Sequence, residues 1–159
     1  MKKTTHILFT IYIFLVIWTI LFKLSVSIDQ LPHFRSINLI PFYYPNKTTY
    51  QIREVLDNLI IFIPFGLYLK TLNINSDRTI FLGFLLSISL ELSQYIFCLG
   101  ASDITDLIGN TLGSGVGAVL FAFFGKIFPK KRMSMINGIG AVVEVVGIGL
   151  LSMLFVTNK

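Results

Sequence analysis

The sequence predicts an all-α fold: a polytopic integral membrane helical bundle of about five transmembrane helices, forming a single domain over residues 1–159. Three observations carry that expectation. Hydrophobic residues are 54% of the chain against 13% charged, and mean hydropathy is +0.78, a balance foreign to soluble domains. The apolar residues gather in runs close to the ~20 residues a helix needs to cross a bilayer. Charged and turn-forming residues lie between the runs.

The Lys and Arg residues behind the net charge of +5 are dispersed between those runs. They read as topology signals and anionic-lipid contacts, and no nucleic-acid partner is expected. One cysteine, Cys98, leaves no intrachain disulfide to form.

The first helix is expected over 6–26, where an uncharged run ends at Lys23. Lys2 and Lys3 before it give the look of a signal peptide, but the run exceeds a usual h-region and no A-x-A site follows, so a retained helix is expected. Residues 28–54 read as a loop at the membrane interface. Asp29, Pro32, His33, Arg35, Asn38, Pro41, Pro45, Asn46 and Lys47 break any helical period there, while Phe42, Tyr43, Tyr44 and Tyr50 suit the headgroup region.

A second helix over 55–70 contains Asp57, Asn58, Pro64 and Gly66, and Pro64 should bend it. The third, 79–99, is apolar apart from Glu91 and Gln94. Gly100 can take the left-handed position that stops a helix, and Ser102 or Asp103 can cap the next. So short a connection makes the third and fourth helices antiparallel neighbours. The fourth is expected over 104–125, a basic loop over 126–132, and the fifth over 135–156, with Glu144 as its one charge.

Positive charge sets the expected orientation. With the N-terminus inside, the inner segments hold Lys2, Lys3, Lys70, Arg78, Lys126, Lys130, Lys131 and Arg132, and the outer ones Lys23, Arg35, Lys47, Arg53 and Lys159. The bias favours N-inside and C-outside. Alternation of spans then brings Arg35, Asn38, Asp57, Asn58, Glu91, Gln94, Asp103 and Asp106 to one membrane face, with Asn110 about 10 Å below the helix ends.

These residues form the expected functional cluster, since an intramembrane acid marks a site by default. Glu91 must find a cation, share a proton or stay protonated. Asp103 reads also as an N-cap, and Asp106 sits in a first turn where the helix dipole favours an anion. Asn110 is too deep for capping. Arg35 is the natural counter-charge, able to pair with a carboxylate or a phosphate. Structural roles are expected for Pro41, Pro64, Gly66 and Gly100, and for Gly109, Gly113 and Gly117, whose four-residue spacing lets membrane helices approach closely. Glu144 can pair within the bundle, stay protonated or mark an oligomer contact, and the sequence does not choose. The oxygen chemistry suits Mg²⁺ or Ca²⁺, but no ligand spacing is fixed, so no metal or cofactor is assigned. No nucleophile, zinc or P-loop motif occurs, and no catalytic residue is named.

Four pieces in order, Arg35-Ser-Ile-Asn38-Leu-Ile-Pro41-Phe42, Asp57-Asn58-Leu-Ile-Ile-Phe62-Ile-Pro64-Phe-Gly66, Glu91-Leu-Ser-Gln94 and Gly100-Ala-Ser-Asp103-Ile-Thr-Asp106-Leu-Ile-Gly-Asn110-Thr-Leu-Gly113, resemble the VanZ-like family of bacterial membrane proteins. The resemblance covers residues 35–117. It implies a multi-pass plasma-membrane protein that lowers susceptibility to teicoplanin-type glycopeptides. Its partners beyond the lipid bilayer would be a lipid-linked cell-wall precursor or the lipidated antibiotic, held at an outer-leaflet polar site. Two alternatives stay open: an intramembrane carboxylate enzyme acting on a lipid-linked substrate, and a transporter, which would need an oligomer.

Overall fold

The computed structural model describes residues 2–22, 31–42 and 48–157. The expected continuation of the first helix to residue 26, and Lys23, Asp29, Tyr43, Tyr44, Pro45, Asn46, Lys47 and Lys159, lie outside the described residues, as does the side chain of Tyr50.

Five helices make up the described fold: α1 (Lys2–Phe22), α2 (Thr48–Thr71), α3 (Ser76–Ile96), α4 (Ile104–Ile127) and α5 (Arg132–Thr157). Two short strands interrupt this all-helical plan, β1 (Phe34–Asn38) and β2 (Leu99–Asp103). The segment expected to be an interfacial loop thus holds a strand and the first turns of α2. Four helices, α1, α3, α4 and α5, are long and apolar enough to cross a membrane. The exception is α2, whose N-terminal half carries Arg53, Glu54 and Asp57.

β1 and β2 pair in parallel, Phe34 opposite Leu99 and Asn38 opposite Asp103. Parallel strands need a crossover connection, and the α2–α3 hairpin supplies it. The turn that ends α3 differs from the expected one. Its left-handed residue is Cys98, φ 55°, while Gly100 lies inside β2 at φ 131°, opposite Arg35. A side chain is strained at that angle, which accounts for glycine there.

The most extensive helix pair is α2 with α4. Gly109 meets Val55 and Asn58, Gly113 meets Leu59 and Phe62, and Gly117 meets Ile63 and Gly66, so the two helices run in the same direction. A Cβ at Gly113 or Gly117 would strike a backbone carbonyl of α2, Leu59 or Ile63. Without a hydrophobic drive between helices in lipid, such close backbone approach is a main source of packing energy.

α1 and α5 form a second parallel pair, joined by Thr5 Oγ1 to Asn137 Oδ1 at 3.1 Å and by the Trp18 and Phe155 rings at 6.0 Å. Between the pairs lies the core, with Tyr12, Val16, Phe62, Phe65, Tyr68 and Leu90 buried together. Pro64, inside α2, has no N–H to give the carbonyl of Ile60. Tyr12 of α1 responds at the next carbonyl, its hydroxyl donating to Ile61 O at 2.6 Å.

Candidate functional site

At one end of the bundle the C-termini of α1 and α3 meet the N-termini of α2 and α4, and the β ribbon crosses over them. Gln94 Nε2 donates to Ile20 O at 3.0 Å and ties α3 to α1. Asn58 Nδ2 donates to Asp106 Oδ1 at 2.6 Å and ties α2 to α4.

The ribbon is anchored by the acids. Asp103 ends β2 in an extended conformation and caps α4, its Oδ1 accepting from Thr105 N at 2.7 Å. Its Oδ2 accepts from Asn38 Nδ2 at 3.0 Å, fastening the end of β1. Glu91, 7% exposed, accepts the Asp103 backbone N–H at 2.9 Å through Oε2, while Ser102 Oγ donates to Glu91 O at 2.6 Å. Thr105 Oγ1 accepts from Phe42 N at 3.0 Å and holds the chain that leaves β1. The two buried carboxylates therefore satisfy backbone donors at a helix start, where the dipole also favours negative charge.

Two cavities adjoin β2 at this end of the bundle. Ser102 and Asp103 border one of about 340 Å³ together with Asn38 and Glu91, whose polar groups are taken up in the network, so that the surface left open is the apolar one of Ile37, Leu92, Leu107 and the Tyr95 ring. Arg35 stands beside it, its guanidinium 5.2 Å from the centre of the Tyr95 ring. The expected pairing of Arg35 with the acids is absent: among the described residues the ion pair is Arg53 with Asp57, at 3.7 Å and well exposed. β1 carries Arg35 outward along the ribbon edge, away from the carboxylates beneath.

Ala101 borders the other cavity, about 250 Å³, with Glu54, Asp57, Asn58, Gln94 and Asp106. Carboxylate and amide groups dominate its polar lining. Gln94 is 4% exposed; its amide nitrogen is committed to Ile20, and its Oε1 is buried with no hydrogen-bond partner. Asn58 has likewise given a donor to Asp106.

Asn110 belongs to neither cavity. It is 1% exposed, donates to Ser87 Oγ at 2.9 Å, and links α3 to α4 deeper in the bundle. Of the residues singled out from sequence, Asn38, Glu91 and Asp103 thus share one network, Asp57, Asn58, Gln94 and Asp106 share one cavity, and Arg35 and Asn110 stand apart. Pro41 lies exposed past β1. Glu54, Tyr95 and Thr105 do not stand out in the sequence, and Ser102 does so only as a candidate helix cap. Of the first three, Thr105, two residues past an N-cap, is the one whose position carried a signal.

No solved structure matches this chain. In sequence it is similar to "Protein VanZ" of Enterococcus faecium, 40% identical over 156 residues that cover 94% of this chain and 89% of that protein. The VanZ/LLP1 family matches over residues 9–125, from α1 through nearly all of α4, and so includes both cavities and the ribbon between them. The chain belongs to the VanZ/LLP1 family, and is a multi-pass protein of the bacterial plasma membrane.

Proposed function

We propose that this protein lowers susceptibility to teicoplanin-type glycopeptides by holding a lipid-linked cell-wall precursor or the lipidated antibiotic at the ribbon end of the bundle. That end faces outward in this reading. The basic residues Lys126, Lys130, Lys131 and Arg132 at the α4–α5 connection lie at the opposite end and favour the inside. All five helices then cross, α2 shielding its charged first turns at the outer interface.

The observation that carries the reading is the buried and unpartnered Gln94 Oε1 at the carboxylate-lined 250 Å³ cavity. A buried acceptor without a donor is costly, so the cavity suits a guest that brings donors, such as sugar hydroxyls or an ammonium. A phosphate is unsuited to the acids there. The neighbouring 340 Å³ cavity, apolar and flanked by Arg35, is fitted to a lipid chain with its anionic head at the rim.

The paired-carboxylate enzyme draws no support from Glu91 and Asp103, which accept structural hydrogen bonds from backbone and amide donors. Replacing Asp106 or Gln94 by alanine and measuring teicoplanin susceptibility at equal membrane levels tests the proposal. Loss of protection supports it; unchanged protection contradicts it.

A further inference from the structure

Far from the ribbon, half-way along α5, Glu144 is 3% exposed. Tyr68 of α2 donates its hydroxyl to Glu144 Oε1 at 2.5 Å, whereas Oε2 is buried with no hydrogen-bond partner. The contact is built into the backbone. Gly140, one turn earlier on α5, lies under the Tyr68 ring, and any Cβ there would strike the hydroxyl.

Beside this pair is a cavity of about 200 Å³ between α1, α2, α4 and α5, walled by Tyr12, Pro64, Leu120, Ile136, Tyr68 and Glu144. It exists because α5 packs chiefly on α1 and only lightly on α2 and α4. Among the described residues no Lys, Arg or His lines it, and the Tyr12 hydroxyl is already committed to Ile61 O. Glu144 is thus a carboxyl at hydrocarbon depth with one oxygen satisfied, one unsatisfied and no counter-ion in the cavity.

We propose that this cavity is a second binding site, for an apolar primary amine whose ammonium completes Glu144. Once the pair has formed, the ammonium both donates to Oε2 and balances the carboxylate's charge, as a buried ion requires. A hydroxyl would donate without neutralising, and a carboxylate guest would be repelled. An amine arriving neutral through the lipid takes the carboxyl proton onto its nitrogen, leaving an ammonium–carboxylate pair with no net change in charge. The apolar walls accept the alkyl body. This site shares no residue with the two ribbon-end cavities and does not depend on their assignment.

The test is the melting temperature of the full chain in maltoside micelles with octylamine, octanol or octanoate at matched concentrations. Octylamine should raise it by several degrees and the other two should not. Glu144→Gln keeps an oxygen for Tyr68 but no charge, and should lose the octylamine shift. Leu120→Phe fills the cavity with the carboxyl intact, and should lose it too. The wild-type comparison decides even if a variant fails to fold. An equal shift with octanol, no shift with octylamine, or a shift retained in Glu144→Gln would overturn the proposal.

Discussion

Asn58 on α2 and Asp106 on α4 are joined by a 2.6 Å hydrogen bond at the ribbon end of the two helices' glycine-lined interface. The bond uses up an amide donor of Asn58 at the carboxylate-lined cavity. Binding and packing therefore meet at this pair. Asn58→Leu should weaken the α2–α4 contact by about 1.5–3 kcal/mol, a lost hydrogen bond to a carboxylate. Reversible unfolding in mixed detergent micelles measures it.

The glycine face makes a stronger demand. Gly113→Leu and Gly117→Leu should each destabilise by about 1–3 kcal/mol or more, because what blocks the new side chain is backbone. Gly138→Ala, where nothing lies within 4 Å, should leave stability unchanged or slightly raised. The same unfolding assay separates them, and equal losses at Gly113 and Gly138 would refute the packing account.

Asp103 and Glu91 should behave as ribbon anchors. Asp103→Ala removes the α4 cap and the Asn38 bond together, for a loss of about 1–2 kcal/mol, while Asp103→Asn retains a capping oxygen. Glu91→Gln keeps an acceptor for the Asp103 N–H and should fold normally, whereas Glu91→Leu leaves that donor buried and unpaired, costing about 1–3 kcal/mol. Hydrogen exchange at the Asp103 amide is the direct readout: fast in Glu91→Leu, slow in Glu91→Gln.

The long helices were legible because lipid imposes a single rule, an uninterrupted apolar run of sufficient length, which α1, α3, α4 and α5 obey. Alternation alone suffices to bring Asn58 and Asp106 to one end. The ribbon was not legible. Phe34–Asn38 is short and lies between prolines, and its partner is 65 residues away in register, so neither segment signals a strand by itself. Without that pairing the polar residues read as one cluster with Arg35 as its counter-charge. With it, the acids lie at two cavities adjoining β2, and β1 lifts Arg35 onto Tyr95. Glu144 was equally opaque, since which helix it faces depends on the close approach of Tyr68 at Gly140, a property of the packed bundle.

Orientation has a built-in reporter. Cys98, the one cysteine, lies half-exposed between α3 and β2, at the ribbon end. In intact cells a membrane-impermeant maleimide should label it, and Cys98→Ser should abolish labelling. Labelling only after the membrane is opened would place the ribbon end inside.

The central claim is that the carboxylate-lined cavity at the ribbon end serves glycopeptide protection. Teicoplanin susceptibility, compared between a clean host carrying the wild-type chain and one carrying Asp106→Ala at equal membrane abundance, tests it most directly. The variant should fall back to the level of the host without the chain. Full protection by the variant would contradict it.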